Sequence, residues 1–305
     1  MKQNYVIVII VAITAIICSY IISFSHKDST SVKNISDSTQ STFEHVRKTG
    51  ILRCGYVVLP PEFAKDINTG KFSGISYDIT NAIAKRLGLK VEWTEEVSFT
   101  TMTAALESKR FDAICFSLYR YSPHALVMDY TVPLFATPTY AFARIDDNRF
   151  DSDVLTAANK NKEITIVTID GEASQYIAED DFPEVKTYSL PNLTNLTEMM
   201  VAVETKKADI ALANAAVAMP YLKANPGKLK IINPKNPLRL YSHGLVIRKR
   251  ETDLLNSLNV AITEMIENGE MDHILDKWHK IPGMIYRVQL PYNKETFDLN
   301  KITTE

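Results

Sequence analysis

The sequence predicts an α/β fold, and three observations carry that prediction. Short apolar or alternating runs are interleaved with segments of helical period from residue 51 to residue 118. The same alternation restarts after Asp146 and continues to residue 232. A strand-like run and two amphipathic segments then close the pattern before residue 280. Strands separated by helices are joined by crossovers, which makes the sheet parallel and covers it with the helices. Once about 45 N-terminal residues are set aside, the remainder suits one large domain or two small lobes.

Residues 43–48 read as a short helix stopped by Gly50. Residues 51–59 form a first strand, mostly apolar as buried parallel strands are, and Pro60-Pro61 ends it. In 76–87, Ile79, Ala82, Ile83 and Leu87 recur at the helical period, and Gly88 supplies the C-terminal stop. Residues 90–95 alternate as a strand, 99–107 read as a second helix, and 113–118 as a third strand. After Asp146, 163–169 is a strand, and a helix begins within 171–175. Residues 185–189 are again a strand. A helix over 196–205 has Asn195 as its N-cap, followed by a strand at 209–213, a helix at 215–224 and a strand at 229–232. Residues 241–249 are strand-like. Residues 253–267 place Leu254, Leu255, Leu258, Ala261, Ile262, Met265 and Ile266 on one broad face, Gly269 ends that helix, and 271–280 form the last one. From Pro282 the packing signals thin out, and a surface tail is expected.

Composition is that of a globular protein with a real core: 46% apolar and 23% charged residues, with a formal net charge of -2. No basic stripe interleaves with aromatics, so no nucleic-acid partner is expected. The sequence has no zinc-ligand cluster, phosphate loop or nucleophile elbow, so no metal or cofactor is expected.

Residues 5–24 form an uncharged run long enough to span a bilayer. An Ala-x-Ala cleavage site is missing, and Ile17 precedes Cys18 where a lipoprotein carries a small residue. The expectation is an uncleaved membrane anchor over 1–24, with a cleaved signal and a lipoprotein as alternatives. Ser, Thr and Asp dominate the following stretch, which reads as a flexible linker over 25–44. Cys54 and Cys115 each sit in an apolar strand-like run. An oxidising compartment would permit a bond, but free thiols are expected, because mid-strand parallel neighbours seldom meet disulfide geometry.

Several segments in order carry a resemblance. They are Arg47-Lys48-Thr49-Gly50-Ile51-Leu52-Arg53-Cys54-Gly55-Tyr56, Gly74-Ile75-Ser76-Tyr77-Asp78-Ile79, Lys109-Arg110-Phe111-Asp112-Ala113-Ile114 and Asp129-Tyr130-Thr131-Val132-Pro133. Their order resembles the opening lobe of family 3 extracellular solute-binding proteins, which feed ABC transporters. Gly244-Leu245-Val246-Ile247-Arg248-Lys249, Asn268-Gly269 and Lys277-Trp278 follow that family's C-terminal order, so the likeness runs from about residue 45 to 280. It implies a two-lobed periplasmic binding protein-like fold of type II, preceded here by the N-terminal membrane segment. Lobe 1 would comprise 45–141 plus 242–285, lobe 2 142–241, and 286–305 a C-terminal tail. The strands of Cys54 and Cys115 would be neighbours. The implied partners are a small-molecule ligand, an ABC permease and, through residues 5–24, the membrane. The implied location is the periplasm or the outer face of the cytoplasmic membrane, and no enzymatic activity is expected.

The same resemblance marks candidate ligand residues and departures from the family pattern. Amino-acid-binding members carry an Arg five residues before the Asp that matches Asp129; His124 stands there, Tyr121 occupies the usual Thr position, and Arg120 lies nearby. Where those members place an Asp after a second-lobe strand, this chain has Asn214. Gly171 and Ser174 fall at a helix start that the family uses for ligand, Ser117 matches a contacting position, and Phe63, Tyr119 and Tyr121 would supply aromatic walls. Each also has a plainer reading: Ser174 as a cap, the aromatics as lobe packing, Arg120 as a solvated side chain. Loss of both charged hallmarks points away from a standard α-amino acid and toward a small polar ligand, amino-acid-like or an organic acid. Two alternatives remain. One is a dehydratase acting on cyclohexadienyl acids, with Glu62, His124 and Glu172 as candidate acids. The other is a ligand-sensing adaptor lobe working through a partner, since no second span or output module is visible.

Overall fold

The computed structural model describes residues 41–150, 154–161, 163–191, 195–278 and 283–288. The apolar run at 5–24, Cys18, the linker up to residue 40 and the tail beyond 288 lie outside the described residues. Helix α1 (Thr42–Thr49) takes up the last positions assigned to the linker and leads into β1 (Ile51–Tyr56). The short pair β2 (Ala64–Lys65) and β3 (Phe72–Ser73) precedes α2 (Ile75–Arg86), whose buried face is Ile75, Ile79, Ile83 and Ala84. Strand β4 (Lys90–Glu96) alternates between exposed and half-buried residues, as an edge strand does. Helix α3 (Met102–Glu107) then precedes β5 (Ala113–Tyr119), which is buried over its first six residues.

Two strands follow that the periodicity did not isolate, β6 (Met128–Tyr130) and the long β7 (Phe135–Arg144). A helix that the periodicity did not isolate, α4 (Val154–Lys160), comes next, and the alternation then resumes as expected: β8 (Thr165–Ile169), α5 (Ala173–Asp181), β9 (Lys186–Leu190), α6 (Thr197–Glu204), β10 (Ile210–Asn214), α7 (Ala215–Ala224) and β11 (Leu229–Ile232). Asn195 stands one residue before the helical N-cap position, yet its Oδ1 accepts the Thr197 N–H at 2.9 Å and does the capping work. Strand β12 (Arg239–Arg248), α8 (Thr252–Glu267) and α9 (Glu270–Trp278) complete the helical layer. Asp78 on α2 ties to α9, accepting from Lys277 Nζ at 2.7 Å and Trp278 Nε1 at 2.8 Å. The surface tail expected from Pro282 carries one element among its described residues. Tyr286–Arg287 forms β13 against β7, and Met284 beside it is buried. Among the described residues no helix is long and apolar enough to cross a membrane.

The strands run in the order β4-β1-β5-β12-β7-β10-β8-β9, with β6 on β12 and β11 and β13 on β7. The middle of this order positions everything else. The first half of β12 (Arg239 to Ser242) pairs antiparallel with β7, and its second half, from His243, pairs with β5. Likewise β7 pairs with β12 through Ala136 to Thr139 and with β10 through Thr139 to Phe142. Strand β12 therefore joins the parallel unit β4-β1-β5 directly and, through β7, the parallel unit β10-β8-β9. Their cores are separate: Ile79, Leu258 and Ile262 pack on one side, and Phe142, Met199 and Val203 on the other.

The thiol expectation is also corrected: Cys54 and Cys115 form a disulfide with Cα atoms 5.4 Å apart. Cys54 is in register with Ala113, and Cys115 lies two residues on, on the same face of the neighbouring strand. The Cα separation is within the range a disulfide needs, because the two strands are hydrogen-bonded neighbours.

Candidate functional site

Strands of both parallel units end at one place. The last residues of β5 and β10, and the turn after β8, face a cavity of about 780 Å³, counted out to its solvent mouth, and β12 crosses behind it. Clefts at the carboxyl ends of such strands are where α/β folds collect ligand-binding groups.

One wall comes from the loop after β1 and from β5. Leu59 and Phe63 exchange backbone hydrogen bonds at 2.8 and 3.0 Å, which folds Pro60-Pro61-Glu62 into a tight loop. Phe63 is fully buried and packs among Tyr56, Phe72 and Trp93, with ring centroids 5.0, 5.3 and 4.8 Å away. Gly74 lets the loop approach: at its φ of 129° an added Cβ would lie 2.5 Å from the Glu62 carbonyl oxygen. Gly74→Ala therefore combines a strained backbone with a backbone clash, and it is expected to cost more than about 1 kcal/mol. An unchanged urea midpoint would show that the loop yields instead.

Glu62 is thereby held against the cavity, 4% exposed, and its Oε2 has no hydrogen-bond partner. Burial pushes its carboxyl up to about 7. Ser117 lines the same wall, its Oγ accepting from Ser76 Oγ at 2.9 Å. Tyr119 follows; burial first, then the carboxylates of Glu172 and Glu62, drive its phenol far up. His243 on β12 lies beneath, donating from Nδ1 to the Ser117 carbonyl at 2.7 Å and accepting at Nε2 from Thr137 Oγ1 at 2.8 Å. Burial lowers it to about 4, so the ring is neutral at ordinary pH.

The opposite wall begins at α5. Glu172 is its N-cap, and its own Oε2 accepts the Ser174 N–H at 2.7 Å. Gly171 N–H donates to Gln175 Oε1 at 2.8 Å, and Ser174 Oγ accepts from Ile169 N–H at 3.1 Å. The chain's own side chains thus occupy this helix N-terminus. Asn214 ends β10 and caps α7, its Oδ1 accepting the Ala216 N–H at 2.8 Å, which leaves Nδ2 as its remaining donor. Two aromatic pairs line the space: Tyr119 stacks on Tyr241 at 4.8 Å, and Tyr121 on Tyr176 at 4.5 Å. His124 bridges the walls, with Nε2 3.0 Å from Tyr176 Oη, and burial lowers its pKa.

Of the residues singled out from sequence, Ser117, Tyr119, Tyr121, His124, Gly171 and Asn214 line this cavity. Phe63 lies behind it in the aromatic core, Ser174 is buried under the α5 cap, and Arg120 is exposed at the end of β5, outside the lining. Glu62 and Glu172, weighed in sequence only as candidate acids, are lining groups, as are Tyr176, Tyr241 and His243. The Pro60-Pro61 turn signalled the Glu62 loop. Nothing local marks His243, whose partners are 126 and 106 residues away. Among the described residues no group of three or more His, Cys, Asp or Glu is placed to hold a metal ion.

Residues 52–281 match the profile of the bacterial extracellular solute-binding proteins, family 3. The L-cystine-binding protein TcyA of Bacillus subtilis is 22% identical over 239 residues, which cover 76% of this chain and 82% of that protein. The crystal structure of the ancestral amino acid-binding protein AncCDT-1, a precursor of cyclohexadienyl dehydratase, superposes with a TM-score of 0.67 at 24% identity. It covers 79% of this chain and 100% of that one. An ancestral arginine-binding protein bound to arginine superposes with a TM-score of 0.62 at 28% identity, covering 75% and 98% of the two chains. The shared architecture is the two-lobed α/β fold of type II periplasmic binding proteins.

Proposed function

Because the chain belongs to the bacterial extracellular solute-binding proteins of family 3, we propose that it captures a small polar solute by hinge closure and delivers it to an ABC permease. One observation carries the reading. A single cavity is lined from both sides of the β7–β12 crossing, with Glu62 and Ser117 on one wall and Glu172 and Asn214 on the other. Lobe 1 is taken as 45–141 plus 242–285 and lobe 2 as 142–241. The His124–Tyr176 contact then joins the lobes across the mouth. Solute contact is assigned to Ser117, Tyr119, Tyr121, His124, Gly171 and Asn214. Phe63 and Ser174 brace the loops that present Glu62 and Glu172, and Arg120 reaches solute only by swinging in from β5. The body works outside the cytoplasm, with residues 5–24 as its anchor to the cytoplasmic membrane.

A melting-temperature screen of the full chain tests this against amino acids, amines, dicarboxylates, keto acids and sugars. A bound solute at about 100 times its Kd is expected to add about 2.7 kcal/mol. If no class moves the transition, the solute-binding reading is wrong. A second reading draws support from one finding: Glu62, His124 and Glu172, the candidate acids of a dehydratase, line one cavity. Turnover of a cyclohexadienyl acid in the same samples would favour it.

A further inference from the structure

We propose that the solute is an organic monocation, an amine or guanidine without a free carboxylate, seated between Glu62 and Glu172 against the tyrosine walls. The proposal narrows the solute-binding reading and rests on it. Among the described lining residues there are two carboxylates, Glu62 and Glu172, and no Lys or Arg. The two are not equivalent. Burial raises the Glu172 carboxyl, but it caps α5 through the Ser174 N–H and so is partly compensated, whereas Glu62 Oε2 is buried with no partner. A buried carboxylate without a counter-charge is unfavourable, and a cation beside it removes the imbalance. One uncompensated carboxylate calls for one cationic head.

A solute carboxylate finds no comparable reception. The N-terminus of α5 is filled by Glu172 and Gln175, and that of α7 by Asn214 Oδ1. Arg239, beside Tyr241, is held by Asp180 and Asp181. The rings of Tyr119, Tyr121, Tyr176 and Tyr241 present faces on which a cation or its alkyl body can rest. Asn214 Nδ2 remains to donate to a hydroxyl or carbonyl on the solute.

Titratable groups lining the cavity with Glu62 are Tyr119 on β5, His124 after it, Glu172 and Tyr176 at α5, and Tyr241 and His243 on β12. Of these, His243 is neutral and the tyrosines stay protonated near pH 7. Cation binding therefore ionises Glu62, releases a proton, and strengthens as pH rises from 6 to 8.

Calorimetry on the full chain with matched pairs tests this: tyramine and tyrosine, isopentylamine and leucine, histamine and histidine, with succinate as the diacid. The expected result is an amine at least tenfold tighter than its amino acid, with proton release seen on comparing two buffers of different ionisation enthalpy. Glu62→Gln is expected to weaken that amine more than tenfold; if this variant does not fold, proton release in the unaltered protein carries the test. Tighter binding of the amino acids or of succinate, or affinity that falls as pH rises, overturns the monocation while leaving solute binding intact. Silence from every compound here and in the melting-temperature screen overturns both.

Discussion

Loss of the Cys54–Cys115 bond lowers the unfolding free energy by about 4 kcal/mol. The bond closes a 61-residue separation, and the loop-entropy relation for that length yields about 4 kcal/mol at 25 °C. Stabilities of single domains are about 5–15 kcal/mol, so this is a large share. The closed segment includes α2, β4 and α3, and its ends are adjacent strands of the sheet that carries Ser117 and Tyr119. Urea unfolding of the oxidised chain against the Cys54→Ala, Cys115→Ala variant measures the effect. The alanines also remove two fully buried sulfur atoms, so reduction of the unaltered chain provides the second comparison. A difference below about 1 kcal/mol in both would mean that the unfolded chain is already restrained between these residues.

The second large effect is electrostatic and concerns the unliganded protein. Glu62 is raised by burial to about 7, from an ordinary value of 4.5. A carboxyl whose folded pKa is raised contributes fully below pH 4.5, and that contribution is lost as pH rises to about 7. The loss amounts to about 3 kcal/mol. His243 acts in the opposite sense, lowered by burial to about 4 from 6.5. Its contribution is present above pH 6.5 and is lost as pH falls toward 4, again by about 3 kcal/mol. Between pH 4.5 and 6.5 the two slopes offset each other, so neither is visible in the unaltered protein. Glu62→Gln uncovers the histidine: its stability relative to the parent is expected to rise by about 3 kcal/mol between pH 4 and pH 8. Any pH-independent effect of the new carboxamide cancels in that difference. A relative stability that does not change with pH would show that Glu62 is hydrated in solution.

The elements were legible in the sequence wherever their cause is local. The helix Ala215–Ala224 and the strand Leu229–Ile232 begin and end as read, because apolar spacing and flanking Asn and Gly residues act within a turn of the chain. What was not legible depends on residues brought together from far apart. Pairing with β7 holds Tyr286–Arg287, and nothing in 282–288 itself signals that partner. Strand β12 looks like one strand in the sequence, but its two halves pair with β7 and β5, and this division is what creates the cavity. The disulfide required β1 and β5 to lie side by side with Cys54 and Cys115 on one face, a pairing across 61 residues that no local spacing reveals.

The candidate site divides in the same way. The departures at His124 and Asn214 were legible only against the family pattern, whose amino-acid-binding members carry an Arg and an Asp there, because the chain itself shows only a histidine and an asparagine. The sign of the cavity came from packing. Glu62 is one of 36 acidic residues and in the sequence was only one of three candidate acids; Gly74 and Phe63 draw its loop out of water, and the helix N-terminus at Gly171 is filled by the neighbouring carboxylate. A carboxylate's influence depends on its solvation and its partners, and both are supplied by residues distant in sequence, so that part of the chemistry exists only in the folded chain.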